Sequence, residues 1–219
     1  MRIKLQWTWI METEEQQLEE IRHWWQEHGK TVIAGVVLGL GTVIGWTTWR
    51  NHQETTAEQL SVRYQMIVSA AEAPDYGQVR ELADELIAEY PKSSYSALSA
   101  LIGAHAAYTD GDASTAERLL DWAVNNAKAF DVVNVARLRL ARIVSEKGEL
   151  DKALELINAV DGDDFVALRL EARGDVLEAK SDRAAAKSAY EEALKVPSLQ
   201  GDVRARLEVK RDELSELGG

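Results

Sequence analysis

Cysteine is absent from the 219 residues, which removes thiolate metal sites, disulfides, cysteine nucleophiles and a lipid-modified cysteine anchor together. Proline numbers three and phenylalanine two, while Ala and Leu recur throughout, a balance that favours helix. Cationic charge is short: 25 Lys and Arg stand against 37 Asp and Glu, for a net charge of −12. Binding along a phosphate backbone needs a cationic surface that releases counterions, so nucleic acid is excluded as a partner. Motifs for chemistry are missing too, with no phosphate loop, no nucleophile elbow and no HExxH pair in the chain. His23, His28, His52 and His105 have no metal-ligand spacing. The stretch Asp161-Gly-Asp163-Asp164 lacks the long loop and closing Glu of a calcium site, and acid pairs such as Glu191-Glu192 read as solvated charge. No catalytic, metal-binding or cofactor-binding residue is identified, so neither an enzyme nor a cofactor is expected.

What the sequence does hold is uneven. Six of the seven tryptophans fall within the first 49 residues, and only Trp122 lies beyond. From Thr31 to Trp49 the chain reads TVIAGVVLGLGTVIGWTTW without a charge, between Lys30 and Arg50. At about 1.5 Å per residue that run comes close to the roughly 30 Å hydrocarbon core of a bilayer. Trp24 and Trp25 flank one end, Trp46 and Trp49 the other, where indole rings would sit at the two headgroup levels as membrane-interface anchors. Gly35, Gly39, Gly41 and Gly45 would weaken a helix in water, whereas membrane helices tolerate them. Gly35-x-x-x-Gly39 and Gly41-x-x-x-Gly45 place small residues four apart, where a second membrane helix could pack closely. We expect a transmembrane helix over 29–49, embedded in the lipid bilayer, after an N-terminal tail of 1–28. A cleaved signal peptide fits less well, because Glu12 to Glu27 is acid-rich and bulky Trp46 and Trp49 follow the apolar core. Met1–Ile10 differs in character from the residues after it, and Met11 is expected to be the true start. Basic residues alone leave orientation undecided, with Arg22 and Lys30 before the span balancing Arg50 and Arg63 after it.

Residues 50–219 carry an internal period. Turn positions recur at Gly77, Gly111, Gly148 and Ser181, spaced by 34, 37 and 33 residues, against about 34 for a tetratricopeptide repeat. Five residues after each turn come Leu82, Ala116, Ala153 and Ala186; then, four later, Leu86, Leu120, Ile157 and Tyr190; then, three later, Glu89, Ala123, Val160 and Ala193. Ala104, Ala141 and Gly174 lie seven before their turns. Paired helices need a small residue where they cross and a large one to fill the gap beside it. Gly201 to Leu217 is amphipathic through Val203, Leu207, Leu214 and Leu217, as a terminal cap should be. The fold class expected is all-α, a single N-terminal membrane helix followed by a tetratricopeptide-like α-solenoid. Such arrays bind partners along the surface of their first helices. Counting from the crossing residues puts His105, Tyr108, Arg142, Ser145, Asp175 and Glu178 on that surface, with Glu171 one turn before Asp175. The Lys and Asn residues that grip chaperone C-termini in two-carboxylate clamp repeats are replaced here by His105, Arg142 and Asp175, which disfavours that specialised role.

The entry segment Gln17-Leu-Glu-Glu-Ile-Arg-His-Trp-Trp-Gln-Glu-His-Gly-Lys30, the Gly-rich span ending Ile44-Gly-Trp46 and Trp49, and the repeats after it resemble the YfgM family, ancillary subunits of the bacterial SecYEG translocon. The resemblance runs from Met11 to the end and is most specific between Ile21 and Trp49. It implies a cytosolic N-terminal tail, one inner-membrane span and a periplasmic repeat domain. It also implies partnership with the translocon and with a membrane-anchored periplasmic chaperone of the PpiD type. The family's tail is linked to restraining a cytosolic response regulator; here residues 1–10 depart from the family's usual start. Two other classes remain open on the residues: a scaffold for a different envelope complex, and a cytosol-facing repeat adaptor on the same anchor.

Overall fold

A sequence rich in Ala and Leu and poor in Pro gives helix at every regular element of the computed structural model. It describes residues 8–72, 75–197, 199 and 201–216, with side chains from 18 onward except at 20, 48–56 and 216. The chain divides into two units, Met1–Glu58 and Gln59–Gly219, and helix α1 (Thr8–Glu72) contributes residues to both. In the first unit the stretch Ile21–Thr47, 27 residues, is long and apolar enough to cross a membrane. Its apolar side chains point in all directions and lie open, among them Val37, Leu38, Val43 and Ile44 at 60–72% exposure. A helix apolar all round belongs in protein interior or lipid, and no other described element of its own unit covers this one.

The second unit pairs helices in sequence order. The last part of α1 packs on α2 (Tyr76–Glu89) through Leu60, Ile67, Val79 and Leu86. Next come α3 (Ser94–Thr109) with α4 (Ala113–Asn126), α5 (Phe130–Glu146) with α6 (Leu150–Asn158), and α7 (Val166–Ala179) with α8 (Arg183–Leu194). Helix α9 (Gly201–Glu216) closes the array by burying Leu207 and Leu214 beside Ala186, Tyr190 and Ala193. Leu217, also expected on that face, lies outside the described residues, as do the side chain of Trp49 and residues 1–7.

One turn joins the two helices in each of the last three pairs. Gly111 and Gly148 hold φ +84°, and Ser181 holds φ +64°, the left-handed conformation that ends a helix. The next residue then donates its N–H five residues back: Asp112 to Ala107 at 2.8 Å, Glu149 to Val144 at 2.9 Å and Asp182 to Leu177 at 2.9 Å. That same residue is the N-cap of the following helix. Asp112 accepts from the Thr115 N–H at 3.0 Å, and Asp182 from that of Ala185 at 3.1 Å. The Thr115 backbone bond, chiefly, holds the Asp112 carboxyl down at about 2. A single residue thus finishes one helix and starts the next.

Crossing positions fall where the period places them in the last three units. Ala116, Ala153 and Ala186 are fully buried, and Leu120, Ile157 and Tyr190 fill the space beside them. Ala104 and Ala141 are buried on the facing helices. At Gly174 the approach is closest: a Cβ there would lie 2.3 Å from Tyr190 Cε1. The first unit departs from expectation. Gly77 lies inside α2, because Asp75 is its N-cap and accepts from the Gln78 N–H at 3.1 Å. The crossing residues are therefore Val79, Ala83 and Leu86, all buried, rather than Leu82, Leu86 and Glu89; Glu89 is exposed and pairs with Arg63 at 2.6 Å. The register is shifted by three residues.

Two substitutions probe the crossing and the turn. Gly174→Ala should lower stability by about 1–3 kcal/mol, since Tyr190 has no room to retreat. Ser181→Gly should raise it by about 0.5–1 kcal/mol, by relieving a left-handed serine. Urea unfolding midpoints of the full chain in detergent measure both.

Candidate functional site

The exposed faces of α3, α5 and α7 form a groove with two adjoining hollows. The larger, about 420 Å³, lies among α5, α7 and α9, with Arg142, Ser145, Glu146, Glu171, Asp175 and Lys210 in its wall. A smaller one of about 220 Å³ lies between α3 and α5, lined by Ala104, His105, Tyr108, Leu120, Arg139, Arg142 and Ile143. Six of the seven residues expected on this surface therefore meet there, with Arg142 shared by both hollows. Glu178 lines neither; its carboxylate accepts from the Tyr190 hydroxyl at 3.2 Å.

Helix α9 already engages the carboxylates of the α7 end. Arg206 grips Glu171 with two bonds of 2.7 and 2.8 Å, and Lys210 reaches Glu171 at 2.9 Å and Asp175 at 2.6 Å. Asp175 also accepts from the buried Tyr190 hydroxyl at 2.8 Å, and the Lys210 ammonium lies 5.7 Å from the Tyr190 ring centre. Burial pushes the Glu171 carboxyl up, but the bonds from Arg206 and Lys210 outweigh it and hold the group below its ordinary value. Burial, and then the bond to Asp175, push the Tyr190 hydroxyl far up. Glu171 and Asp175 thus fasten the cap to the array.

The α3–α5 end is organised differently. The Tyr108 hydroxyl donates to both Glu146 oxygens at 2.8 and 2.9 Å, while Arg142 reaches Glu146 at 3.2 Å and lies 5.9 Å from the Tyr108 ring centre. The bond to Glu146 raises both Tyr108 and Arg142 above their ordinary values. Arg139, which counting from the crossing residue overlooked, stands three residues before Arg142 on the same helix and donates to the Leu101 carbonyl at 3.3 Å. Arg206 and Lys210 belong to the helix expected as a terminal cap, but their place at the groove carboxylates was not read; their four-residue spacing on an amphipathic helix after acidic groove positions was the signal that could have found it.

In the first unit, Gly35, Gly39, Gly41 and Gly45 have no atom within 4 Å of where a Cβ would stand, so their faces are open to an approaching helix. Trp24, Trp25 and Trp46 are exposed. The Trp24 ring stacks on His28 at 5.5 Å, and the Trp25 indole covers Gly29. Thr42 and Thr47 turn their hydroxyls back to the Leu38 and Val43 carbonyls at 2.8 and 2.9 Å, which satisfies polar atoms that lipid could not.

A tetratricopeptide repeat-like domain family matches residues 22–216. The chain is 31% identical to an ancillary SecYEG translocon subunit of Haemophilus influenzae over 82% of its length and 88% of the relative's. It is 31% identical to the ancillary SecYEG translocon subunit of Escherichia coli over 85% and 89%, and 26% identical to that of Neisseria gonorrhoeae over 92% and 97%. Among solved structures, nearly identical TPR-like repeats from Podosopora anserina superpose at a TM-score of 0.57. They share 14% identity over 74% of this chain and 87% of that one, a likeness of fold alone.

The Glu171 clamp makes a pH prediction. A carboxyl whose folded value lies below its unfolded value contributes stability fully present above the ordinary glutamate range, about 4.3, and lost as pH falls through the folded value. Protection of the α9 amides, taken relative to the intrinsic exchange rate at each pH, should therefore fall on acidification below about pH 4. Glu171→Gln should raise exchange in α9 at neutral pH and remove that step.

Proposed function

Since the chain belongs to the tetratricopeptide repeat-like family of ancillary SecYEG translocon subunits, we propose that it is a membrane-anchored interaction subunit of that translocon. The observation that carries this reading is the reach of the family match, from residue 22 to 216, which takes in the apolar helix and the repeats together. The helix holds the protein in the bacterial inner membrane, with residues 1–28 cytosolic and the repeat domain from about residue 50 periplasmic. Its open glycine faces pack against a membrane helix of the translocon or of a chaperone of the PpiD type. The repeat domain receives translocating chains and passes them to that chaperone. The acidic tail is available to a cytosolic response regulator. No catalytic step enters this reading: the groove's acids and bases fasten α9 or await a partner, and none is paired as a nucleophile with its base.

Anchoring supplies the mechanism. A domain tethered beside a channel meets emerging segments at high effective concentration, so modest groove contacts suffice. Lipid facing the apolar helix resolves its exposure, and the tryptophans at either end hold it at the two headgroup levels.

A periplasm-dependent reporter fused after Gly219 should be active, with protease access in spheroplasts as the check; an inactive reporter would make the protein a cytosol-facing adaptor. A photo-crosslinker at Gly39 or Gly45 should capture a helix of the translocon or of the chaperone. Capture of lipid alone, or of a different envelope complex, would overturn the assignment.

A further inference from the structure

We propose that the hollow between α3 and α5 docks a short acidic segment of a partner polypeptide, with one apolar side chain on its floor and side-chain carboxylates on Arg139 and Arg142. This deepens the interaction reading above and rests on it.

Charge gives the first indication. The protein has twelve more acids than bases, yet no carboxylate lines this hollow, whose charged walls are Arg139 and Arg142, with His105 beside them. The neighbouring hollow has Glu146, Glu171 and Asp175 in its wall with Arg142 and Lys210, so acids outnumber bases there. Arg142 is partly answered by Glu146 at 3.2 Å. Arg139 is not: its one hydrogen bond among the described residues is the long one to the Leu101 carbonyl. A guanidinium carries five N–H donors in a planar fork suited to a carboxylate, so most of this fork is left open towards the groove. Burial pushes its pKa down, whereas Arg63, Arg142, Lys152, Arg206 and Lys210 are all pushed up. Arg139 keeps exposed surface and no carboxylate lines the hollow beside it, so an incoming anion would supply the counter-charge.

Shape narrows the ligand. Ala104, Leu120 and Ile143 form an apolar floor, and about 220 Å³ suits one side chain of leucine or phenylalanine size. The charged groups come from positions three apart on α5, which face the same way. A ligand that fills the floor and answers both arginines therefore carries carboxylates on either side of an apolar residue. A chain terminus brings a single carboxylate and leaves one arginine unanswered; a phospholipid headgroup leaves the floor empty.

The test uses the full chain in nanodiscs of neutral lipid and a fluorescent peptide, amidated at its C-terminus, with a Glu-Leu-Glu core in a Gly-Ser frame. Anisotropy should show saturable binding. Arg139→Gln should weaken it about tenfold or more, the scale of one charge-assisted bond, while Arg139→Lys should lose less. Lys92 is exposed in the turn before α3, and the control Lys92→Gln should leave binding unchanged. Gln-Leu-Gln and Glu-Ser-Glu cores should each bind at least about tenfold more weakly. An unchanged thermal midpoint for Arg139→Gln shows that the fold is intact. Binding that survives Arg139→Gln combined with Arg142→Gln would overturn the proposal. So would binding that requires a free terminal carboxylate, loss of binding to phosphatidylglycerol vesicles added as competitor, or no binding at all. Copurification with the translocon, measured on the same variants, reports on the broader reading separately. Its absence with peptide binding intact would remove that reading and leave the docking site.

Discussion

Everything in the repeat domain depends on how closely two helices can approach when the residue between them has almost no side chain. Ala116, Ala153 and Ala186 sit at that point with no exposed surface, and Gly174 goes further by letting the Tyr190 ring lie against backbone. Close approach fixes the distance within each pair, and that distance fixes where the next pair can stack. The turns enforce the same geometry from outside the core. Asp112, Glu149 and Asp182 each end one helix and open the next without a spare residue, so the pair has little freedom to splay. The groove is a consequence: first helices held in one row present their outer faces side by side.

Charge then divides the surface. Between neighbouring pairs, an acid on a second helix meets a base on the next second helix or in the turn before it: Asp84 with Arg118 at 2.9 Å, Glu117 with Lys152 at 3.1 Å and with Lys147, Asp151 with Lys180. Arg80 reaches Asp110 and Asp112 with the charges reversed. These groups are largely solvent-exposed, where each pair contributes little on its own. Their value lies in register, since each joins a residue of one pair to a set position on the next. At the C-terminal end Arg206 and Lys210 do the same for the cap. Cations are scarce in this chain and several are spent on such ties, whereas Arg139 lines a hollow whose wall holds no carboxylate.

The period was legible wherever a residue able to hold positive φ marked the turn, at Gly111, Gly148 and Ser181. It was misread in the first unit, where the sequence has Pro74 just before the capping Asp75 and no such marker. Gly77 drew attention instead, although a glycine in the first turn of a helix signals nothing by itself. The groove was legible in the same partial way. Positions after a crossing residue point outward by helical geometry alone, so His105, Tyr108, Arg142 and Ser145 could be placed from sequence. Which carboxylates were already taken could not, because Glu171 and Asp175 meet their partners 35 residues away on α9. Arg139 was missed for a related reason: a long side chain reaches across to α3 from a position that local counting does not select.

The two scales of electrostatics act in opposite directions on any acidic partner. Beyond the Debye length, about 8–10 Å at ordinary ionic strength, a partner meets little of the chain's net −12. Closer in, that charge repels it before the arginines of the groove can act. Attraction becomes dominant only within the hollow between α3 and α5, where Arg139 and Arg142 meet and no carboxylate shares the wall. A strongly acidic protein surface therefore discourages encounter through most approaches while one small cationic recess rewards the correct one. Such an arrangement selects for short, locally matched segments over highly charged surfaces, because a large acidic body meets the repulsion everywhere and the attraction at a single point. In the role proposed above, tethering beside the source of those segments would offset the slower encounter, and the anchor and the charge pattern of the groove would be parts of one physical solution.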